Sequence, residues 1–111
     1  MELRVAEVRG ITVVALEGEL TWKSVPDVQA RVVAAARGGS QVILDLSGVP
    51  YMSSAGLRLL LVVYRHVTSQ GGQALCCGLS QELKDMMIVT GFLGFFAHCD
   101  TLEAGLALLA A

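Results

Sequence analysis

The chain has 111 residues, of which 54% are hydrophobic and 16% are charged, and its formal net charge is −2. This length suits a single domain, residues 1–111, with its own core, and the apolar composition excludes disorder. The acidic balance, with no basic cluster, excludes nucleic acid as the partner. Its apolar runs, residues 59–64 and 86–97, are shorter than the about 20 residues that a membrane span requires. The charged N-terminal stretch MELRVAEVRG is unlike a signal peptide, so we expect the chain to stay in the cytoplasm.

The N-terminal third predicts a β-hairpin followed by a helix. Leu3–Val8 and Ile11–Leu16 have the composition of strands, and Arg9-Gly10 between them is a two-residue turn. Ser24 is placed to cap a helix, and Gly38-Gly39 is placed to end it. The expected apolar face of this helix comprises Val25, Val28, Val32 and Ala36.

The central third predicts a buried strand, a helix and another strand. Gln41–Leu46 is a short apolar run, typical of a strand covered on both faces. A helix begins at about Ser54, ends at Gly71-Gly72 and is followed by the strand Gln73–Cys77. Its apolar face comprises Leu57, Leu60, Leu61, Tyr64 and Val67.

The C-terminal third predicts a helix, a short strand and a last helix. Ser80 caps a helix to about Val89, Phe95–Cys99 is the strand, and Asp100 with Glu103 forms a capping box. The order is therefore ββαβαβαβα, an α/β fold. Strands that alternate with helices indicate a largely parallel sheet, which the N-terminal hairpin makes mixed.

The cysteines and the C-terminal aromatic residues fit a core better than a site. Cys76, Cys77 and Cys99 lack the spacing of metal ligands, so we expect small apolar residues of buried strands and no metal site. We likewise expect the aromatic-rich segment to pack in the core. That segment contains Phe92, Leu93, Phe95 and Phe96.

The helix that begins at Ser53-Ser54 differs from the others in its charge. The other three predicted helices each have a carboxylate in the first turn, namely Asp27, Glu82 and Glu103. This helix has none, has Arg58 nearby, and has small residues, Ala55 and Gly56, that we expect to leave its backbone open. Its positive end would therefore tolerate a phosphate on Ser54. On the residues alone, a serine that only caps the helix is the simpler interpretation.

The segment Asp45–Leu57, DLSGVPYMSSAGL, resembles the phospho-acceptor segment of STAS domains (sulfate transporter and anti-sigma factor antagonist). Gly18–Thr21 resembles the family's loop after the second strand, and Leu83–Ala104 resembles its closing elements. The resemblance covers essentially the whole chain. It implies the STAS fold and one STAS domain over residues 1–111.

The resemblance also implies a function, that of an anti-sigma factor antagonist. In this family a serine kinase of the GHKL-ATPase type, which is also the anti-sigma factor, binds the unphosphorylated antagonist. Its phosphorylation of the antagonist ends the binding, and a serine phosphatase reverses the modification. The acceptor position maps onto Ser54, with Ser53 as a competing acceptor. The residues expected to meet the kinase are Thr21, Ser53, Ser54, Gly56 and Arg58, and those expected to brace the loop are Asp45 and Ser47.

Two residues depart from the family pattern, because many antagonists have Asp where this chain has Ser53 and Thr21. The alternative function is therefore a STAS binding subunit that works without phosphorylation, such as that of a lipid-transport ABC complex or a signalling scaffold. Enzyme motifs are absent from the sequence: the serines lack the Gly-x-Ser-x-Gly elbow, and the glycine pairs lack the lysine of a phosphate loop. We therefore expect neither catalysis nor a cofactor.

Overall fold

The structure is a computed structural model, and it describes residues 1–37 and 40–110. It confirms the predicted order of strands and helices, with one 3-10 turn, Leu93–Phe95, before the last strand. The strands are β1 (Glu2–Val8), β2 (Ile11–Glu17), β3 (Gln41–Gly48), β4 (Gln73–Cys77) and β5 (Ala97–Cys99). The helices are α1 (Val25–Ala35), α2 (Ser54–Ser69), α3 (Gln81–Val89) and α4 (Leu102–Ala110).

The strands form a mixed five-stranded sheet in the order β1-β2-β3-β4-β5. β1 and β2 pair antiparallel, and each later neighbour pairs parallel, as predicted. Arg9 and Gly10 make the hairpin turn with φ of +53° and +79°. Two consecutive positive φ values are what a tight hairpin turn requires, and glycine supplies one of them without strain.

Helices cover the sheet on both faces, which produces two hydrophobic clusters. Residues of α1, α2 and α3 pack with Val42, Leu44 and Leu46 of β3 in the larger cluster. Residues of α4 pack with Ile43 of β3 in the smaller one. Alternate residues of β3 therefore enter different clusters, and the prediction of a strand covered on both faces is confirmed.

Ser24 precedes α1, but its predicted side-chain cap is wrong. Its hydroxyl donates to the carbonyl of Glu19 at 2.9 Å and accepts from the backbone N–H of Thr21 at 3.1 Å. The hydroxyl is thus bound to the preceding loop instead of the helix end. The predicted helix stop at Gly38-Gly39 lies outside the described residues.

The predicted capping box of α4 is also wrong. The carboxylate of Asp100 lies 2.8 Å from Nζ of Lys84, and the hydroxyl of Thr101 accepts the N–H of Ala104 at 3.1 Å instead. The last strand begins at Ala97, two residues later than predicted, because the preceding residues form the 3-10 turn.

The expected burial is confirmed for two of the three cysteines, Cys76 and Cys77 of β4, whereas Cys99 of β5 is only half-buried. Cys76 and Cys77 are buried, and burial raises the pKa of each thiol to about 12. Phe96 is buried and meets Tyr64 edge to face, with ring centroids 5.8 Å apart. Phe92 and Leu93 pack against the same core, and the side chain of Phe95 is not described.

Candidate functional site

Two loops meet at the carboxyl edge of the sheet, where β2 and β3 end. Leu20 forms a parallel bridge with Met52. The N–H of Leu20 donates to the carbonyl of Tyr51 at 3.0 Å, and the N–H of Ser53 donates to the carbonyl of Leu20 at 2.9 Å. The bridge, Leu20–Met52, therefore places Thr21 beside Ser53, two residues that are far apart in the sequence.

The two adjacent serines have different positions at the start of α2. Ser53 is the N-cap residue, and its side chain accepts the backbone N–H of Ala55 at 3.2 Å. Ser54 is the first residue of the helix, and it is exposed. The capping role that the sequence allowed for either serine belongs to Ser53. The hydroxyl of Ser54 is accessible from solvent.

The start of α2 is positive, as the sequence predicted. Its first turn has no acidic residue, whereas α1, α3 and α4 have Asp27, Glu82 and Glu103 there. Arg58 is exposed one turn further along α2. The helix dipole and this guanidinium both favour an anion at Ser54.

Gly56 does not leave the helix open, and that prediction is wrong. Gly56 is buried, and a Cβ added to it would lie 2.7 Å from Cβ of Met52 and 3.1 Å from Cβ of Leu20. Real Cβ atoms do not approach this closely, so only glycine lets α2 rest on the bridge. Gly56 thus shapes the site from below.

Asp45 and Ser47 fix the turn at the end of β3. One carboxylate oxygen of Asp45 accepts both the backbone N–H of Ser47 at 3.0 Å and its hydroxyl at 2.7 Å. The N–H of Val49 donates to the carbonyl of Leu46 at 3.0 Å in the same turn. These bonds set the direction in which the chain leaves β3 toward the serines.

A groove of about 590 Å³ opens between α1 and α2, beside the serines. We call it the Trp22 groove; its lining is mostly apolar and includes Trp22, Val25, Pro26, Val33, Ala55 and Arg58. The Trp22 side chain is 73% exposed. The sequence prediction missed Trp22, although the single tryptophan of the chain, next to Thr21 in the loop before α1, was a usable signal.

The described residues contain neither a metal-binding cluster nor a membrane-spanning helix. Within residues 1–37 and 40–110, no three His, Cys, Asp or Glu side chains are grouped to hold a metal ion. Within the same residues, no helix combines the length and the apolar character needed to cross a membrane.

Fold and site together define an α/β domain with a serine presented at a helix start, and comparison with known proteins identifies its family. A family model described as the STAS domain matches residues 2–105. The chain belongs to the STAS family.

Curated relatives of this chain are found in bacteria. BtrV of Bordetella bronchiseptica is 29% identical over 108 residues, which cover 96% of this chain and 93% of BtrV. The anti-sigma-B factor antagonist of Bacillus subtilis is 31% identical over 78 residues, which cover 70% of this chain and 72% of that protein.

Solved structures share the fold over nearly the whole chain. A STAS-domain anti-sigma-factor antagonist protein from Planctomyces limnophilus superposes with a TM-score of 0.90 at 22% identity, covering 98% of each chain. SpoIIAA of Bacillus in its phosphorylated form superposes with a TM-score of 0.72 at 20% identity, covering 97% of this chain and 99% of SpoIIAA.

Proposed function

We propose that this chain is an anti-sigma factor antagonist that is switched by phosphorylation of Ser54. Unphosphorylated, it binds a GHKL-type anti-sigma factor serine kinase in the cytoplasm and so frees a sigma factor. Phosphorylated, it releases the kinase, and a serine phosphatase restores the binding form. Residues 1–111 act as one domain in this proposal.

The observation that carries the proposal is the division of roles between the two serines. Ser53 holds the helix end through its bond to Ala55 at 3.2 Å, whereas Ser54 is exposed. A kinase can modify an exposed hydroxyl without breaking a bond that supports the fold. Ser54 is therefore the better acceptor, and Ser53 is the weaker competitor.

The charge of α2 explains why the modified protein would stay folded. A phosphate on Ser54 adds about −1.5 to −2 charges. At a helix start without an acidic residue, an anion is stabilised by about 0.3–1 kcal/mol. Phosphorylation would therefore change the surface that the kinase meets and leave the fold intact.

The proposed binding surface surrounds Ser54 and includes Thr21, Ser53 and Arg58. The bridge, Leu20–Met52, supports the loop of Thr21, and Gly56 contributes by letting α2 pack on that bridge. The names of the relatives support this choice of partner, since the Bacillus subtilis relative is an anti-sigma-B factor antagonist.

The test is phosphorylation by the proposed partner, a GHKL-type serine kinase. The protein is incubated with kinase and ATP, and the modified residue is mapped by mass spectrometry. We expect phosphate on Ser54 in the wild type and in Ser53→Ala, and little incorporation in Ser54→Ala. A wild-type protein that stays unmodified, while the same kinase modifies another antagonist, would contradict the proposal.

Binding provides the second measurement. Ser54→Ala should retain the kinase in a pull-down, and Ser54→Asp should not. Recovery of a transporter subunit in place of the kinase would instead favour a constitutive STAS binding subunit.

A further inference from the structure

We infer that the Trp22 groove is the docking site for a segment of the kinase that presents a large apolar side chain beside a carboxylate. This inference rests on the proposed function, because it assigns a second contact to the same partner. The groove combines an exposed apolar ring, Trp22, with a charged side chain, Arg58, and it lies close to Ser54 on α2.

Trp22 supplies the apolar contact. It is 73% exposed, although indole is among the side chains that gain most from burial. Nζ of Lys23 lies 5.6 Å from the centre of its ring, which is within the range of a cation–π contact. Tryptophan is one of the residue types that are enriched among the side chains contributing most to binding between proteins.

Arg58 determines the charge of the segment that fits. Arg58 contributes a guanidinium to a lining that is otherwise mostly apolar, and the positive start of α2 lies next to it. A guanidinium binds a carboxylate through two parallel hydrogen bonds. The complementary segment is therefore apolar and acidic, and a basic segment would be repelled.

The same arginine connects the groove to the proposed switch. Arg58 is four residues after Ser54 on α2, so their side chains are neighbours on one helix face, with Cβ atoms about 5–6 Å apart. A phosphate on Ser54 would pair with Arg58 and repel a carboxylate that approaches it. Phosphorylation would thus remove the charged half of the docking site while the apolar half stays in place.

Trp22 is the single tryptophan of the chain, so it reports on the groove directly. We would replace it with 5-fluorotryptophan and follow its one ¹⁹F resonance while the kinase is added. We would also measure Kd by calorimetry for Trp22→Ala and Arg58→Ala. The matched controls are Val89→Ala, which shortens an apolar side chain that is 85% exposed on α3, and Arg65→Ala, which removes an exposed arginine further along α2.

The kinase should shift the fluorine resonance, and each groove variant should raise Kd about tenfold or more. Each control should stay within about twofold of the wild type. Phosphorylation should lower the affinity of the wild type for the kinase, and so should the substitution Arg58→Ala without phosphorylation. When Arg58→Ala is phosphorylated, its affinity should fall by a smaller factor than that of the wild type.

The outcomes separate the two proposals. If the kinase binds the wild type and phosphorylates Ser54, but both groove variants bind equally well, the groove inference is overturned and the proposed function stands. If the wild type neither binds the kinase nor accepts phosphate, both fall. Circular dichroism of each variant confirms that a loss of binding is not a loss of fold.

Discussion

Replacing the two serines one at a time should separate stability from regulation. Ser53→Ala removes the oxygen that accepts the N–H of Ala55 at 3.2 Å, and loss of a serine N-cap costs about 1 kcal/mol. Ser54→Ala removes an exposed hydroxyl at the first position of α2. It should change the free energy of unfolding by less than about 0.5 kcal/mol. Ser54→Asp should stabilise by about 0.3–1 kcal/mol, since it places a carboxylate at the positive helix end.

The assay is urea unfolding followed by circular dichroism at low ionic strength, with thermal unfolding in parallel. A loss of about 1 kcal/mol in a domain of this size corresponds to a fall in Tm of about 4 °C. The stabilisation of Ser54→Asp should shrink in high salt, because salt screens an exposed charge. If Ser54→Ala destabilises as much as Ser53→Ala, the assignment of the cap to Ser53 is refuted. If Ser54→Asp destabilises, the electrostatic argument for a tolerated phosphate fails.

Three further predictions concern packing, cysteine reactivity and pH. Gly56→Ala should lower the free energy of unfolding by about 1–3 kcal/mol in urea, because its Cβ would lie 2.7 Å from the nearest side-chain carbon. Gly94→Ala, where a Cβ meets nothing within 4 Å, is the control and should be nearly neutral. A thiol reagent should modify Cys99 before the two buried cysteines of β4, because their pKa of about 12 leaves little thiolate. Equal rates of modification for all three cysteines in the folded protein would contradict this prediction. Lys84 holds the pKa of Asp100 below its usual value. The pair therefore stabilises the fold at every pH above the usual pKa of Asp, and this stabilisation is lost as the pH falls through the lowered pKa. Asp100→Asn should therefore lower the unfolding midpoint at neutral pH but not in strong acid, and a pH-independent difference would argue against the ion pair.

The order of the elements was predictable because local signals determine it. The turn residues Arg9 and Gly10 lie in the left-handed region that the hairpin needs, and the apolar run of β3 is buried on both faces. These features depend on residues close together in the chain. The folded structure keeps these local conformations because the tertiary contacts favour the same strands and turns.

Two of the errors, those at Asp100 and Gly56, involve a contact with a residue that is distant in the sequence. Asp100 fits a capping box by its spacing, but Lys84, 16 residues earlier, binds its carboxylate at 2.8 Å. Gly56 looked like an opening in the backbone, but Leu20 and Met52 fill the space above it. The residues that flank Asp100 and Gly56 in the sequence do not indicate these contacts.

The candidate site was predictable only in part for the same reason. The resemblance pointed to Ser54, and local charge pointed to the start of α2. The Trp22 groove requires α1 and α2 to lie side by side, and the sequence does not specify that contact. The bridge, Leu20–Met52, which joins the loops of Thr21 and Ser53, depends on the parallel pairing of β2 with β3 in the same way.

The residue at position 53 links stability to the proposed switch. Many antagonists of the family have Asp there, and Asp and Ser are about equally good N-caps, so Ser53 keeps the capping bond without the negative charge. The start of α2 is consequently positive before modification, with Arg58 beside it and no acid in the first turn. A phosphate on Ser54 would then change the charge of this surface from positive to negative. In a relative with Asp at this position, the same phosphate would add to a negative charge that is already present. Ser53→Asp should therefore weaken kinase binding by the unphosphorylated protein while preserving the stability of α2. A Ser53→Asp variant that binds as tightly as the wild type would show that the charge at this end of α2 does not determine binding.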